Sequence, residues 1–107
     1  MTGNEYRTLA MRTANSSSRT LSNVGLGLAG EAGEVADMIK KHLHQGHDLD
    51  KEALCKELGD VLWYVALGCT VLGLDMDAVM ETNIEKLKKR YPKGFEVEKS
   101  RNRQESE

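Results

Sequence analysis

The chain is 107 residues long, the size of one domain. Its hydrophobic residues (39%) and charged residues (30%) form the mixture expected of a soluble globular protein with one modest core. The 15 Lys and Arg residues against 17 Asp and Glu residues give a formal net charge of −2. This balance argues against a nucleic-acid coat or a membrane-surface peptide, because both need a strong basic excess.

No targeting or membrane-spanning segment is evident in the sequence. The N-terminal residues have no apolar run after their charges, so they do not form a secretory signal. The longest uncharged stretch, residues 61–74, is 14 residues long, whereas a helix that spans a bilayer needs about 20. Cys55 and Cys69 fall on one predicted helix about 21 Å apart, too far for a disulfide. We therefore expect a cytoplasmic protein with two free thiols.

The N-terminal half of the chain contains two predicted helices. Thr2 and Glu5 have capping-box spacing for a helix over residues 4–15, and a run of polar residues then ends it. A second helix is predicted over residues 20–42, where apolar residues recur in steps of three and four. Each interior glycine costs a helix about 0.5–1 kcal/mol relative to alanine. Because the second helix has four of them, we expect another backbone or a ligand to approach it closely: Gly25, Gly27, Gly30 and Gly33.

Two aspartates open the predicted helices of the C-terminal half. Asp50 and Asp75 each stand at an N-cap position between two apolar residues that can form a staple. The third helix is expected to end at Gly73 in a left-handed cap, and the fourth near Tyr91, because Pro92 follows. Residues 1–95 are thus predicted to form the helical domain, and residues 96–107 a polar, partly disordered C-terminal tail.

The third predicted helix is apolar around nearly its whole circumference from Val61 onward. A helix on the surface of a monomer has one apolar stripe and a charged opposite face. A chain of this length has few elements with which to cover every face. We therefore expect an oligomer that buries the helix between subunits, and the alternative is a central helix wrapped by the other three.

Two pairs of carboxylates stand at helical spacing beside the apolar seams. Glu31 and Glu34 lie three residues apart on the second predicted helix, and Glu57 and Asp60 lie three apart on the third. Residues at this spacing share one face of a helix. If the two helices pack as an antiparallel hairpin, the four carboxylates converge at one depth.

Converging carboxylates repel one another, and each is costly to desolvate without a partner. Divalent cations relieve this repulsion, and ligand sets made only of oxygen select hard ions. The sequence therefore predicts a Mg²⁺ site in which Mn²⁺ can substitute. The alternative is an ordinary solvated acidic face.

The fourth predicted helix supplies the opposite charge. Asn83, Lys86 and Arg90 fall on one stripe of it. Residues 86–103 contain eight Lys or Arg and two Glu, a local charge of +6, whereas residues 31–60 contain eight acidic and four basic residues, a local charge of −4. An acidic metal site bordered by a basic stripe is suited to a polyphosphate ester, because cations and basic side chains share the phosphate charge.

Three segments of the sequence, GLAGEAGEVADMIKK, KELGDVLWYVALGCTVLGLDMDAV and NIEKLKKRYPKGF, resemble the MazG-like all-α nucleoside triphosphate pyrophosphohydrolases. The resemblance covers roughly residues 6–95. The family signature, ExxE followed by ExxD, reads here as Glu31 and Glu34, a gap of 22 residues, then Glu57 and Asp60. The RYPKGF ending and the spacing of Lys86 and Arg90 make the resemblance more specific.

The resemblance implies an all-α, four-helix MazG-like bundle with antiparallel core helices, assembled as a homodimer or homotetramer. It implies Mg²⁺-dependent cleavage of an NTP or dNTP between the α and β phosphates, which gives NMP and pyrophosphate, as nucleotide-pool housekeeping. From the charge balance we expect neither a nucleic-acid polymer nor a membrane as partner. The resemblance assigns metal binding and catalysis to the four signature carboxylates. It assigns binding of the substrate phosphates to Lys86, Arg90 and Asn83.

One position departs from the pattern of the family. Some members carry a further glutamate directly before the first signature residue, where it is regarded as a general base. Gly30 occupies that position here. The sequence therefore leaves the general base unassigned: either Glu34 orients the water, or the metal alone generates the nucleophile by lowering the pKa of its bound water.

The sequence indicates less clearly which residues contact the nucleotide base and the sugar. The side chains that are candidates for contacting them are Tyr6, Met11, Asn15, Trp63 and Tyr64.

Two other functions remain as alternatives. A di-metal bundle of the ferritin type needs Glu-x-x-His pairs, which the sequence lacks, and a non-catalytic nucleotide-binding or regulatory module would not need acidic residues on the packed side of a glycine-rich helix.

Overall fold

A computed structural model describes residues 1–103, and the described residues form five α-helices and no strand. Polar residues separate the helices, and two short 3₁₀ turns, Met11–Thr13 and Ser16–Ser18, join the first to the second. The helices are α1 (Gly3–Ala10), α2 (Leu21–His44), α3 (Lys51–Leu72), α4 (Met76–Arg90) and α5 (Val97–Arg101).

The caps predicted from the sequence are confirmed. The Glu5 amide donates to Thr2 Oγ1 and the Thr2 amide donates to Glu5 Oε1, each over 3.0 Å, which completes the capping box of α1. The side chains of Asp50 and Asp75 accept hydrogen bonds from the first turns of α3 and α4. Gly73 ends α3 in the left-handed region, with φ +67°.

Two differences from the sequence-based expectations lie near the chain ends. The first α-helix ends at Ala10, five residues earlier than predicted, and continues as a 3₁₀ turn. The predicted C-terminal tail contains α5, a helix that the sequence analysis did not predict. Residues 104–107 of that tail lie outside the described residues.

Helices α2 and α3 pack against each other as a hairpin, while α1 lies against α3 and α4. The short connection between α2 and α3 makes them antiparallel. The core forms where α1 and the start of α4 meet the C-terminal half of α3. There the indole N–H of Trp63 donates to the carbonyl of Ala10 (3.1 Å) and to Thr13 Oγ1 (2.9 Å). The buried apolar residues are Met11, Ala14, Ala66, Leu67, Cys69 and Met76.

The chain is open rather than compact. The chain bends by 108° between α3 and α4. The radius of gyration is 16.7 Å, whereas a compact domain of this length has about 13 Å. The accessible surface is 7938 Å², and a compact monomer of 11.9 kDa exposes about 5,900 Å². The chain therefore leaves about 2,000 Å² more surface in contact with solvent than its mass requires.

No single helix among residues 1–103 is both long and apolar enough to cross a bilayer. Within that described part of the chain, one bent pair, α3 with α4, has the length and apolar composition for it.

Candidate metal and active site

Helices α2 and α3 bring three of the four predicted carboxylates together. Glu31 lies in the middle of α2, and Glu57 and Asp60 lie one turn apart in the N-terminal half of α3. One carboxylate oxygen from each of these residues lies within 4.8 Å of the other two. Glu31 and Glu57 are half-buried at the contact between the helices, and Asp60 is exposed. We call these three residues the acidic cluster.

The electrostatics of the acidic cluster are unfavourable for the charged state. Partial burial raises the pKa of Glu31, and the negative charge of Asp60 and a hydrogen bond to Glu57 raise it further. The charge of Glu34 also raises the pKa of Glu31. Glu34 lies one turn along α2 and is exposed, and it is not among the three residues whose oxygens converge.

The acidic cluster fits a hard divalent cation. All of its donor atoms are carboxylate oxygens, which Mg²⁺, Mn²⁺ and Ca²⁺ prefer over nitrogen or sulfur. Metal–oxygen distances of about 2.0–2.6 Å place two ligands on opposite sides of an ion about 4–5 Å apart. Oxygens within 4.8 Å of one another are therefore close to the separations that the ligands of one ion have.

Aromatic side chains border the acidic cluster. Tyr64 follows Asp60 by one turn of α3, and its ring packs so closely on Gly27 of α2 that a Cβ at Gly27 would overlap it. Of the four α2 glycines, Gly27 is thus the one at which another helix approaches closely, as expected. The other three have no atom within 4 Å of an added Cβ. Burial raises the pKa of the Tyr6 hydroxyl, and the charge of Asp60 adds to the effect.

The remaining candidates for contacts with a base or sugar have structural partners. Met11 is buried in the core. Trp63 is half-buried and bonded to the end of α1, with its ring centroid 5.0 Å from that of Tyr64. Asn15 caps a 3₁₀ turn by accepting a hydrogen bond from the Ser18 amide.

The predicted phosphate-binding residues lie on α4, apart from the acidic cluster. Asn83 and Lys86 are exposed, and Arg90 is half-buried with its guanidinium 5.9 Å from the Tyr91 ring centroid. A helix rises about 1.5 Å per residue. Given the 108° bend, the axis of α4 at Lys86 is therefore about 20 Å from the axis of α3 at Asp60. This gap exceeds the combined reach of a lysine and a carboxylate side chain.

Two groups of residues were missed by the sequence analysis. Asn4 joins α1 to α4: its Nδ2 donates to Asp75 Oδ1 (2.9 Å) and Asp77 Oδ2 (3.1 Å), and its Oδ1 accepts from the Met76 amide (3.0 Å). No local pattern signals this contact, because its partners are more than 70 residues away. The second group comprises the basic residues of α5, which the charge count included without assigning them a role.

Comparison with known proteins identifies similarity over most of the chain. Residues 19–95 match the family described as the MazG nucleotide pyrophosphohydrolase domain. A relative, the Gene 37 protein of Mycobacterium phage L5, is 40% identical over 78 residues, which cover 69% of this chain and 68% of the relative. No solved structure matches the chain. The matched region contains the acidic cluster and all of α4, and it ends before α5.

Proposed function

The chain belongs to the MazG nucleotide pyrophosphohydrolase family, and on that premise we propose that it hydrolyses an NTP or dNTP to NMP and pyrophosphate with Mg²⁺. The observation that carries the proposal is the convergence of three carboxylate oxygens within 4.8 Å at the contact of two helices. Such a cluster suits a reaction in which a cation must neutralise phosphate oxygens. A role in nucleotide-pool housekeeping in the cytoplasm follows from this activity as part of the proposal.

In the proposed reaction the oxygen of a water molecule bonds to the α-phosphorus. The bond from that phosphorus to the bridging oxygen breaks, its electron pair leaves with pyrophosphate, and the water releases a proton. Glu31, Glu57 and Asp60 would hold the ion, and Glu34, one turn along α2, would be a further carboxylate for it. When bound, Mg²⁺ supplies charge neutralisation and a lower pKa for coordinated water.

We further propose that the active form is a homodimer or a larger homo-oligomer. The gap of about 20 Å between the acidic cluster and Lys86 is bridged if the basic stripe (Asn83, Lys86 and Arg90) reaches the cluster of a second copy. The excess surface of about 2,000 Å² per protomer also exceeds the roughly 800 Å² that each partner buries in a standard interface.

The outer faces of α2 and α3 supply a surface for the second copy. Five exposed small or apolar residues share one face of α2, and three exposed apolar residues share one face of α3. Exposed apolar faces of this kind are typical of surfaces that a partner covers. The residues are Leu26, Ala29, Gly33, Ala36 and Leu43 on α2, and Cys55, Leu58 and Leu62 on α3.

A panel of NTPs and dNTPs with Mg²⁺, in which pyrophosphate, orthophosphate and NMP are resolved separately, tests the activity. We expect pyrophosphate and NMP in equal amounts from at least one nucleotide, and no product when EDTA replaces Mg²⁺. Orthophosphate with NDP would refute the bond assignment. Binding of a nucleotide without any product would favour the non-catalytic module instead.

Light scattering of the full chain tests the assembly. We expect the mass of a dimer or tetramer, and a shift towards the monomer in Leu58→Glu, which puts a charge in the outer apolar face of α3. Lys56→Gln, an exposed position two residues away, is the control and should leave the mass unchanged. A monomeric wild type would refute the proposed assembly.

A further inference from the structure

The contact between α2 and α3 continues in regular steps beyond the acidic cluster. Carboxylate oxygens of Glu31, Glu57 and Asp60 lie within 4.8 Å of one another across the two helices. One turn earlier on α2, Gly27 lies against Tyr64, which is one turn later on α3 than Asp60. Residues four apart share a face of a helix, so the glycine and the tyrosine continue the faces that carry the carboxylates. The packing at this turn is therefore placed to set the distance between the carboxylates of α2 and those of α3.

The two turns next to the acidic cluster each place a glycine opposite a larger side chain. The ring of Tyr64 lies so close to the α2 backbone that a Cβ on Gly27 would overlap its Cε1, Cζ and Cδ1 atoms. One turn further on, the order is reversed, because a Cβ on Gly68 of α3 would lie 3.3 Å from Cγ1 of Val24 of α2. That distance is shorter than the optimum of about 3.5–4.0 Å between carbon atoms. Each helix thus receives a side chain of the other in a notch that a glycine leaves open.

The notch at Gly27 is occupied by a supported ring. The ring of Tyr64 has its centroid 5.0 Å from that of Trp63, with the two planes at 79°. The indole N–H of Trp63 donates in turn to the carbonyl of Ala10 at the end of α1. Because its neighbour is tied to α1, the tyrosine ring has less freedom to move aside than a surface side chain has. Within the described residues, an added Cβ at Gly25 meets no neighbouring element within 4 Å, so the close approach is local.

The size of a bound ion makes the separation of the two helices consequential. Mg²⁺ requires nearly octahedral ligands at about 2.0–2.1 Å, whereas Ca²⁺ accepts a flexible shell at about 2.3–2.6 Å. Ligands on opposite sides of the ion are therefore about 4.1 Å apart for Mg²⁺ and about 4.9 Å apart for Ca²⁺. A shift of less than about 1 Å between α2 and α3 is enough to change which of the two ions the carboxylates fit.

We propose that the ring of Tyr64, seated on Gly27, is a spacer that holds α2 and α3 at the separation at which the acidic cluster suits Mg²⁺ rather than the larger Ca²⁺. Both are positioning residues, because they act on the ion through Glu31 and Asp60. The inference rests on the proposed function for the ion at the cluster, and it adds the feature that selects the ion. A changed separation weakens binding of Mg²⁺ more than binding of Ca²⁺, because Ca²⁺ tolerates irregular geometry.

Competition against Mn²⁺ on the metal-free, full-length protein tests the spacer without nucleotide. The electron paramagnetic resonance signal of free Mn²⁺ reports its binding, and displacement by Mg²⁺ or Ca²⁺ gives their affinities. In Gly27→Ala we expect the affinity for Mg²⁺ to fall at least fivefold and that for Ca²⁺ to change less than twofold. Gly25→Ala makes the same substitution two residues away and should keep both affinities within twofold of wild type. An equal loss for the two ions in Gly27→Ala, or an unchanged affinity for Mg²⁺, would overturn the proposal.

Variants of Tyr64 test the spacer from the other helix and do not depend on the folding of Gly27→Ala. Tyr64→Leu empties the notch without adding a clash, and we expect its affinity for Mg²⁺ to fall at least threefold. Tyr64→Phe keeps the ring on Gly27 and should bind Mg²⁺ within twofold of wild type. A loss in Tyr64→Phe as large as that in Tyr64→Leu would assign the effect to the hydroxyl group and overturn the proposal.

The double variant Gly27→Ala/Tyr64→Leu exchanges volume across the same contact. If the two residues act as one spacer, their effects on the affinity for Mg²⁺ are not additive. We expect the double variant to bind Mg²⁺ at least threefold more tightly than the product of the two single losses predicts. Additive losses would show that the two residues act independently and would refute the spacer.

Turnover separates this inference from the proposed function. If wild type binds Mg²⁺ but releases no pyrophosphate from any nucleotide, the proposed function fails, and the competition experiment still decides the role of the spacer. An active wild type whose Gly27→Ala variant keeps the wild-type ratio of Mg²⁺ to Ca²⁺ affinities would refute the spacer alone. A wild type that binds neither Mn²⁺ nor Mg²⁺ would overturn both.

Discussion

Carboxylates converge at two places in this protein, with opposite electrostatic consequences. In the acidic cluster between α2 and α3, partial burial and then the neighbouring carboxylates raise the pKa of Glu31. At the junction of α1 and α4, Asp75 and Asp77 accept hydrogen bonds from the side chain of Asn4. That contact lowers the pKa of Asp75, and a bond from the Ala78 amide lowers it further.

The comparison separates a structural from a functional use of acidic residues. At the α1–α4 junction two helix N-termini meet, and their backbone N–H groups and positive dipole ends stabilise the carboxylates. The acidic cluster instead sets like charges against one another, which costs stability until a cation arrives. The first arrangement holds α4 in position, and the second is suited to binding an ion.

The largest expected effect comes from removing one charge from the acidic cluster. Glu57→Gln keeps the shape of the side chain and removes a ligand, so we expect turnover to fall more than tenfold, since each tenfold step is about 1.4 kcal/mol of transition-state stabilisation. Glu52→Gln, exposed in the first turn of the same helix, is the control. Released pyrophosphate is the measurement. Activity at the wild-type level in Glu57→Gln would remove the acidic cluster from the site.

The same pair of variants tests ion binding independently of turnover. An ion that binds only the folded state raises the unfolding midpoint. Mg²⁺ should therefore raise the midpoint of wild type and of Glu52→Gln, and raise that of Glu57→Gln less. Equal shifts in all three proteins would place the ion elsewhere.

Breaking the α1–α4 junction is expected to cost stability. Asn4→Ala removes the hydrogen bonds to Asp75, Asp77 and the Met76 amide, so we expect a loss of about 1–3 kcal/mol, because bonds to charged groups are among the stronger ones. Asn102→Ala, whose side chain donates one local bond to the carbonyl of Glu98, should change stability by less than about 0.5 kcal/mol. Urea unfolding measures both, and similar losses in the two variants would refute the importance of the junction.

Two glycines of α2 should respond to the same substitution with opposite signs. Gly27→Ala pushes a methyl group into the ring of Tyr64, so we expect a loss of about 1–3 kcal/mol from overpacking. Gly30→Ala meets no atom within 4 Å and should gain about 0.5–1 kcal/mol from the lower backbone entropy of alanine. Urea unfolding at several protein concentrations checks both. A concentration-dependent loss in Gly30→Ala would show that a second chain packs on that glycine.

The features that were predicted from the sequence are those set by local spacing. The caps at Thr2, Asp50 and Gly73 depend on residues within one turn, and the helices followed from them. The convergence of Glu31 with Glu57 and Asp60 was also predictable, because a short loop forces α2 and α3 to be antiparallel. The position of Glu34 outside the convergent set was not predictable, because it depends on side-chain rotation.

The features that escaped sequence analysis depend on distant contacts. Asn4 and Asp77 are 73 residues apart, and only the 108° bend after α3 brings them together. Helix α5 is five residues long and has no side-chain cap, so neither periodicity nor capping chemistry signals it. Its position follows from the turn at Gly94, whose positive φ the single sequence does not reveal.

The smallest expected effects appear in the pH dependence of stability, where the two carboxylate sites should differ in sign. The lowered pKa of Asp75 means that its stabilisation is present above the unfolded value of about 3.9 and is lost as the pH falls through the folded value. The raised pKa of Glu31 means that its destabilisation is absent below the unfolded value of about 4.3 and grows as the pH rises through the folded value. In EDTA, wild type should therefore gain stability relative to Glu31→Gln as the pH falls from 7 towards 4.

The corresponding comparison for the α1–α4 junction uses Asp75→Asn, which keeps an N-cap oxygen for the Ala78 amide but no longer titrates. Wild type should lose stability relative to this variant below about pH 4. Urea midpoints at one protein concentration measure both differences, so titrations shared by all three proteins cancel. If the stability differences between wild type and Glu31→Gln and between wild type and Asp75→Asn change in the same direction as the pH falls, the two sites share one electrostatic environment. Opposite drifts would establish that Asp75 is stabilised by its hydrogen bonds while Glu31 is held among like charges that an ion must relieve.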